Sequence, residues 1–139
     1  MVYAASVGDA AVLKLLLDYG ADINAQNNHP EAVRILIDGN AKIDDTRRRG
    51  GTALSFAADR GNLEIVRMLV ENGADINVTD GEMGITPLMD SAYMNQYEVV
   101  KYLLEQGAGK TLLDKSGNDA LYYAKMRRNW KIIQLLEYE

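Results

Sequence analysis

The chain holds 139 residues, 47% of them hydrophobic, which is enough for one domain with a sizeable core. Its net charge of −5 at pH 7 argues against a general binder of nucleic acid or anionic membranes. With no cysteine there is no disulfide and no thiolate nucleophile, and a reducing compartment is expected.

No apolar run approaches the ~20 residues that span a bilayer. The opening segment MVYAASVGDA lacks the basic and apolar regions of a signal peptide. A cytoplasmic protein is expected, with secretion through a signal outside this sequence left open.

The chain repeats itself. Gly20-Ala21-Asp22 returns as Gly73-Ala74-Asp75, with degenerate copies at Asn40-Ala41-Lys42 and Gly107-Ala108-Gly109. Successive copies stand 20, 33 and 34 residues apart. A period near 33 marks stacked units, each too small to bury its own apolar face. In chain order the units are 1–26, an incomplete 27–46, 47–79, 80–113 and 114–139, all within one domain spanning 1–139.

The third unit shows the local pattern most clearly. Leu54, Ala57 and Ala58 share one helical face, and Gly61 stands where that helix must stop. Ile65, Val66, Met68, Leu69 and Val70 predict a second helix ending at Gly73. In the fourth unit Thr86 is a capping residue and Pro87 fits the first helical position, where its missing donor is not needed. Leu88, Ser91 and Ala92 follow, then Val99, Val100, Tyr102, Leu103 and Leu104. In the fifth, Asp119 caps in threonine's place before Leu121, Ala124, Ile132, Ile133, Leu135 and Leu136.

The motifs Gly84-Ile85-Thr86-Pro87-Leu88, Glu64-Ile65-Val66 and Gly73-Ala74-Asp75-Ile76-Asn77 carry a resemblance to the ankyrin-repeat family over essentially the full chain. The resemblance implies an all-α solenoid of helix-turn-helix units with projecting hairpin-like loops, or fingers. It also implies noncatalytic recognition of a protein partner on the concave face, with no cofactor. A monomer is expected. A structural or regulatory segment of a larger protein, docking onto neighbouring domains, is the alternative.

Departures from the family pattern are informative. Ser55, Met89 and Tyr122 replace the motif's histidine, so its bond to the threonine is expected to be absent. Gly109 and Lys42 replace the loop aspartate, predicting less ordered fingers there. Lys125 and Arg128 stand where Ala and Gly are usual, and the last unit reads as a C-terminal cap. Met1 aligns with Leu54 and Leu88, placing it inside a first helix. In the incomplete unit Asn27-Asn28 matches a finger, and His29-Pro30-Glu31-Ala32-Val33 matches the start of a second helix. Thirteen residues are therefore missing between Asn28 and His29 relative to the period. One peptide link spans ~3.8 Å, whereas a helix of about seven residues is ~10 Å long. A segment omitted from the sequence is expected there, rather than a deletion in the protein.

Several stretches resemble other sites and fail on context. Gly107-Ala108-Gly109-Lys110-Thr111 lacks the first glycine and preceding strand of a phosphate-binding loop. Asn77-Val78-Thr79 is a glycosylation sequon without a secretory signal. His29, the single histidine, has no serine or carboxylate context. Zinc is not expected with one histidine and no cysteine. Glu64 and Glu98 recur at one repeat position and read as charges that suit a helix start. Tyr3, Phe56 and Tyr123 also recur, and are expected to pack between helices.

The candidate partner surface comprises Asp59 and Arg60, Tyr93 and Met94, and Met126 and Arg127 at the ends of first helices. Finger residues Arg47, Arg48, Arg49, Met83 and Ile85 complete it. Tyr93, Met94, Met83 and Ile85 are expected to form an apolar patch flanked by Arg60 and Arg127. Tyrosine and arginine are frequent interface anchors, and methionine adapts to irregular surfaces. Nucleic-acid binding through Arg47 to Arg49 is a weaker reading.

Overall fold

The computed structural model describes residues 53–79 and 82–138. Met1, Tyr3, the Asn28–His29 junction, Lys42 and Arg47 to Arg49 lie outside the described residues. Among the described residues, six helices fall into three pairs. They are α1 (Ala53–Arg60) with α2 (Leu63–Glu71), α3 (Pro87–Tyr93) with α4 (Tyr97–Glu105), and α5 (Ala120–Met126) with α6 (Trp130–Tyr138). The first helices α1, α3 and α5 pack side by side as one layer, and α2, α4 and α6 form the second. No strand occurs among the described residues.

Helix starts follow the local chemistry. Thr86 is extended, its hydroxyl accepts from the Met89 N–H at 3.3 Å, and Pro87 opens α3. The Met89 sulfur in turn accepts from the Thr86 N–H at 3.5 Å. At this position a thioether, though a weak acceptor, takes the place of the absent histidine bond. Asp119 caps α5 by accepting from the Tyr122 N–H at 2.9 Å, and Asn62 caps α2 by accepting from Ile65 at 3.2 Å.

Helix ends explain the repeated Gly-Ala-Asp. After α2, Gly73 adopts φ 93°, and its N–H and that of Ala74 donate to the Val70 and Leu69 carbonyls at 3.1 and 3.0 Å. This closes a Schellman motif, and only a residue without a Cβ enters that backbone region without strain. Ala74 is small enough to be buried against the helix it terminates. The Asp75 carboxylate accepts from the Asn77 N–H at 3.0 Å and turns the chain into the finger. Asn77 then accepts from the Gly109 N–H of the next unit at 2.9 Å. Gly109 therefore keeps its place without the usual aspartate, because the neighbouring unit holds its backbone.

The same closure ends the first helices, with Gly61, Asn95 and Arg128 in the left-handed region at φ 73°, 60° and 55°. Gly61 also admits the approach of Gln96, whose Oε1 would lie 2.2 Å from an added Cβ. The Gln96 Nε2 donates to the Asp59 carbonyl at 3.0 Å, and the Asn129 Nδ2 donates to the Ala92 carbonyl at 2.7 Å. Each bond spans 37 residues and joins one unit to the unit before it.

The core runs continuously through the stack. Leu54, Ala58, Val66, Leu69, Ala92, Val100, Leu103, Ala124 and Ile132 are wholly inaccessible. Alanines at 58 and 92 let adjacent first helices approach closely. At the equivalent position of the last unit Lys125 is exposed, and it pairs with Glu137 at 3.0 Å. Phe56 and Tyr123 are half-buried rather than enclosed.

Candidate functional site

The candidate surface is assembled by the C-terminal ends of α1, α3 and α5, held in line by the Gln96 and Asn129 bonds. Arg60 closes α1 and is exposed; Asp59 beside it is half-buried. Tyr93 closes α3, and Met94 caps it with 41% of its surface exposed. Met126 closes α5 with 51% exposed, and Arg127 caps it.

Tyr93 is the centre of an aromatic and cationic cluster. The Arg127 guanidinium lies 4.7 Å from the Tyr93 ring centroid. Tyr123 meets Tyr93 edge-on at 6.2 Å, and Tyr122 meets Tyr123 at 5.4 Å. Cation–π and edge-to-face contacts each hold the ring in a defined orientation.

Beneath this cluster Asp114 anchors the finger that precedes α5. Its carboxylate accepts from the Tyr123 hydroxyl, from the Ser116 N–H at 2.8 Å and from the Asn118 N–H at 2.9 Å. The Tyr123 bond, followed by that from Asn118, holds the Asp114 carboxyl below its ordinary range. Burial, then the bond to Asp114, pushes the Tyr123 phenol up to about 12. A carboxylate so thoroughly satisfied is a structural acceptor, poorly suited to accept a proton in catalysis.

The finger residues divide. Met83 is 55% exposed, and its carbonyl accepts from the Lys115 N–H of the next finger at 2.8 Å. Ile85 is half-buried and packs against the core. It precedes α3 whereas Tyr93 ends it, a separation of ~10 Å along the helix. Met83 and Ile85 thus sit at the opposite end of α3 from Tyr93 and Met94, and the expected single patch is split between the two ends.

Other sequence readings resolve locally. The Gly107 turn follows helix α4, and the Lys110 Nζ donates to the Leu136 carbonyl at 3.4 Å, so this stretch is a helix end and finger. The Asn77 carboxamide is engaged with Gly109. Glu64 and Glu98 occupy the first turns of α2 and α4, exposed and suited to the helix dipole. Among the described residues no group of three or more His, Asp or Glu side chains is arranged to hold a metal, and no helix is long and apolar enough to cross a membrane. An open groove of about 550 Å³ lies on the second-helix side, lined by Tyr97, Lys131, Gln134, Leu135 and Tyr138.

The sequence reading missed Asp114, Gln96 and Asn129. Their signals were present: polar amides recur at 62, 96 and 129, and an aspartate stands three residues before Gly117.

Comparison with known proteins agrees with this architecture. A family model of ankyrin repeats in three copies matches residues 24–114 and 81–139, and a single-repeat model matches residues 1–28. The chain is 33% identical over 145 residues to an ankyrin repeat protein, YahD, of Escherichia coli (strain K12), covering 91% of this chain and 72% of that protein. It is 48% identical over 71 residues to ankyrin repeat and SAM domain-containing protein 6 of Rattus norvegicus, covering 51% of this chain and 8% of the relative. A mimivirus ankyrin repeat protein, L371, is 26% identical over 149 residues, with 98% of this chain and 20% of its own length covered. The chain therefore spans most of one relative and a small part of the other two. It belongs to the ankyrin-repeat family, an all-α stack of helical repeats whose members generally mediate protein–protein interaction and are generally noncatalytic.

Proposed function

We propose that this protein is a noncatalytic protein-interaction module, and that it binds its partner on the concave side formed by the first helices and fingers. One observation carries the reading. Exposed Met94 and Met126 stand at the ends of α3 and α5 with a half-buried Tyr93 ring that contacts Arg127 and Tyr123, while Leu88, Met89, Ala92, Ala120 and Ala124 of the same helices are buried. Large side chains held in place at low conformational cost are the groups that anchor interfaces. The reading includes a monomer acting in the cytoplasm, without cofactor or nucleic acid, in keeping with the acidic, cysteine-free composition.

The test is affinity capture from source lysate with the wild-type chain and with Tyr93→Ala/Met94→Ala. Lys101→Ala on the second-helix side is the control. Loss of captured proteins in the double variant, with unchanged thermal unfolding, supports the reading; equal capture contradicts it.

A second reading rests on the small share of two relatives that the chain covers, 8% and 20%. In it, the stretch is a structural or regulatory ankyrin segment of a larger protein, docked onto its own neighbouring domains. The length of the natural gene product decides between them.

A further inference from the structure

The ends of the first helices carry a charge pattern that differs from that of the whole chain. Overall the protein is acidic, at −5. Yet Arg60, Arg127 and Arg128 stand exposed along this line, whereas Asp59, the acid beside them, is half-buried. Lys125 is drawn away toward Glu137.

Arg128 adds an independent point. It occupies the left-handed position, φ 55°, that Gly61 fills in an earlier unit at φ 73° and Asn95 fills between them at φ 60°. An arginine is a poor choice for that backbone, so its presence there, exposed and next to Arg127, calls for a use of its side chain.

We infer that the line Arg60, Tyr93, Met94, Met126, Arg127 and Arg128 receives an acidic, extended segment of a protein partner that also carries an apolar side chain. This rests on the interaction reading above and names the partner's chemistry. The two exposed methionines, with the part of Tyr93 left open by Arg127 and Tyr123, accept the apolar side chain. The exposed Arg127 and Arg128 guanidinium groups pair with carboxylates through their planar donors. Neighbouring helices pack 8–10 Å apart, so the line from α1 to α5 is ~20 Å long. An extended chain rising ~3.3 Å per residue covers it with about six residues.

The experiment selects random linear peptides displayed on phage against the full chain, then measures synthetic winners by titration. Enriched peptides are expected to combine Asp or Glu with an aromatic or aliphatic residue, and to weaken as salt rises. Arg127→Ala and Tyr93→Ala are expected to weaken them about tenfold or more, with Lys131→Ala in the outer groove without effect. Unchanged thermal unfolding of the variants separates contact from folding. Peptides that need Tyr93 and Met94 but show no acidic excess overturn the charge inference and leave the interaction reading standing. No enrichment, or winners indifferent to Tyr93, Met94 and Arg127, overturns both. Tighter binding of a single-stranded oligonucleotide than of any peptide also overturns the inference.

Discussion

The Asn129 side-chain amide donates to the Ala92 carbonyl at 2.7 Å, repeating, one unit later, the 3.0 Å bond from Gln96 to Asp59. Both bonds take a carbonyl at the end of one first helix and tie it to the following unit. They fix the lateral register of the surface on which partner binding is proposed.

Removing Gln96 takes the side-chain donor from the Asp59 carbonyl, and removing Asn129 leaves the Ala92 carbonyl with only the Asn95 N–H at 3.4 Å. Gln96→Ala and Asn129→Ala are each expected to lower unfolding free energy by about 1 kcal/mol. The two bonds share no partner, so the double variant should lose nearly the sum. Urea denaturation checks this, and a double variant no weaker than either single one would contradict it.

Gly61 couples two constraints. Gly61→Ala places a Cβ at φ 73°, which costs about 1–2 kcal/mol, and drives it against Gln96. Adding Gln96→Ala removes the clash but not the backbone strain. The double variant is expected to be less destabilised than the two single effects summed, by calorimetry or denaturant titration.

Arg128→Gly is expected to raise stability by about 1 kcal/mol, the backbone gain being partly offset by the greater freedom of glycine when unfolded. The same change should weaken acidic peptides. A variant that is more stable but binds worse would show that side chain and backbone have opposing demands there.

The Asp114–Tyr123 bond gives a signed pH dependence. Asp114 has a lowered carboxyl value, so its stabilisation is present above the ordinary carboxylate range and is lost as pH falls through the lowered value. Tyr123 is raised from 10.0 to about 12, so its contribution is complete below pH 10 and disappears as pH rises toward 12. Tyr123→Phe should cost about 1–3 kcal/mol near neutrality. It should also remove a step near pH 12 from the tyrosinate absorbance titration. A wild-type titration with no phenol above the ordinary range would contradict the bond.

What could be read in the sequence was local. Thr86-Pro87, Asp119, Gly61, Gly73 and Gly107 act on residues within one turn of themselves, so their residue types announced the helix boundaries. The Gln96, Asn129 and Asn77 bonds could not be read the same way, because their acceptors and donors lie a full unit away and meet only once the units stack. Ile85 looked like surface from its place in a finger, but stacking turns it onto the core. Asp114 looked like one acid among many until Tyr123, nine residues on, was brought over it by α5.

Site-specific photo-crosslinking is the sharpest test of which side of the stack binds. A photoreactive residue is placed at Met94, on the first-helix ends, or at Lys101, on the second helices, and each full chain is irradiated in source lysate. Protein adducts concentrated at position 94 and sparse at position 101 are the predicted result. Adducts equal at both positions, or dominant at 101, would contradict it.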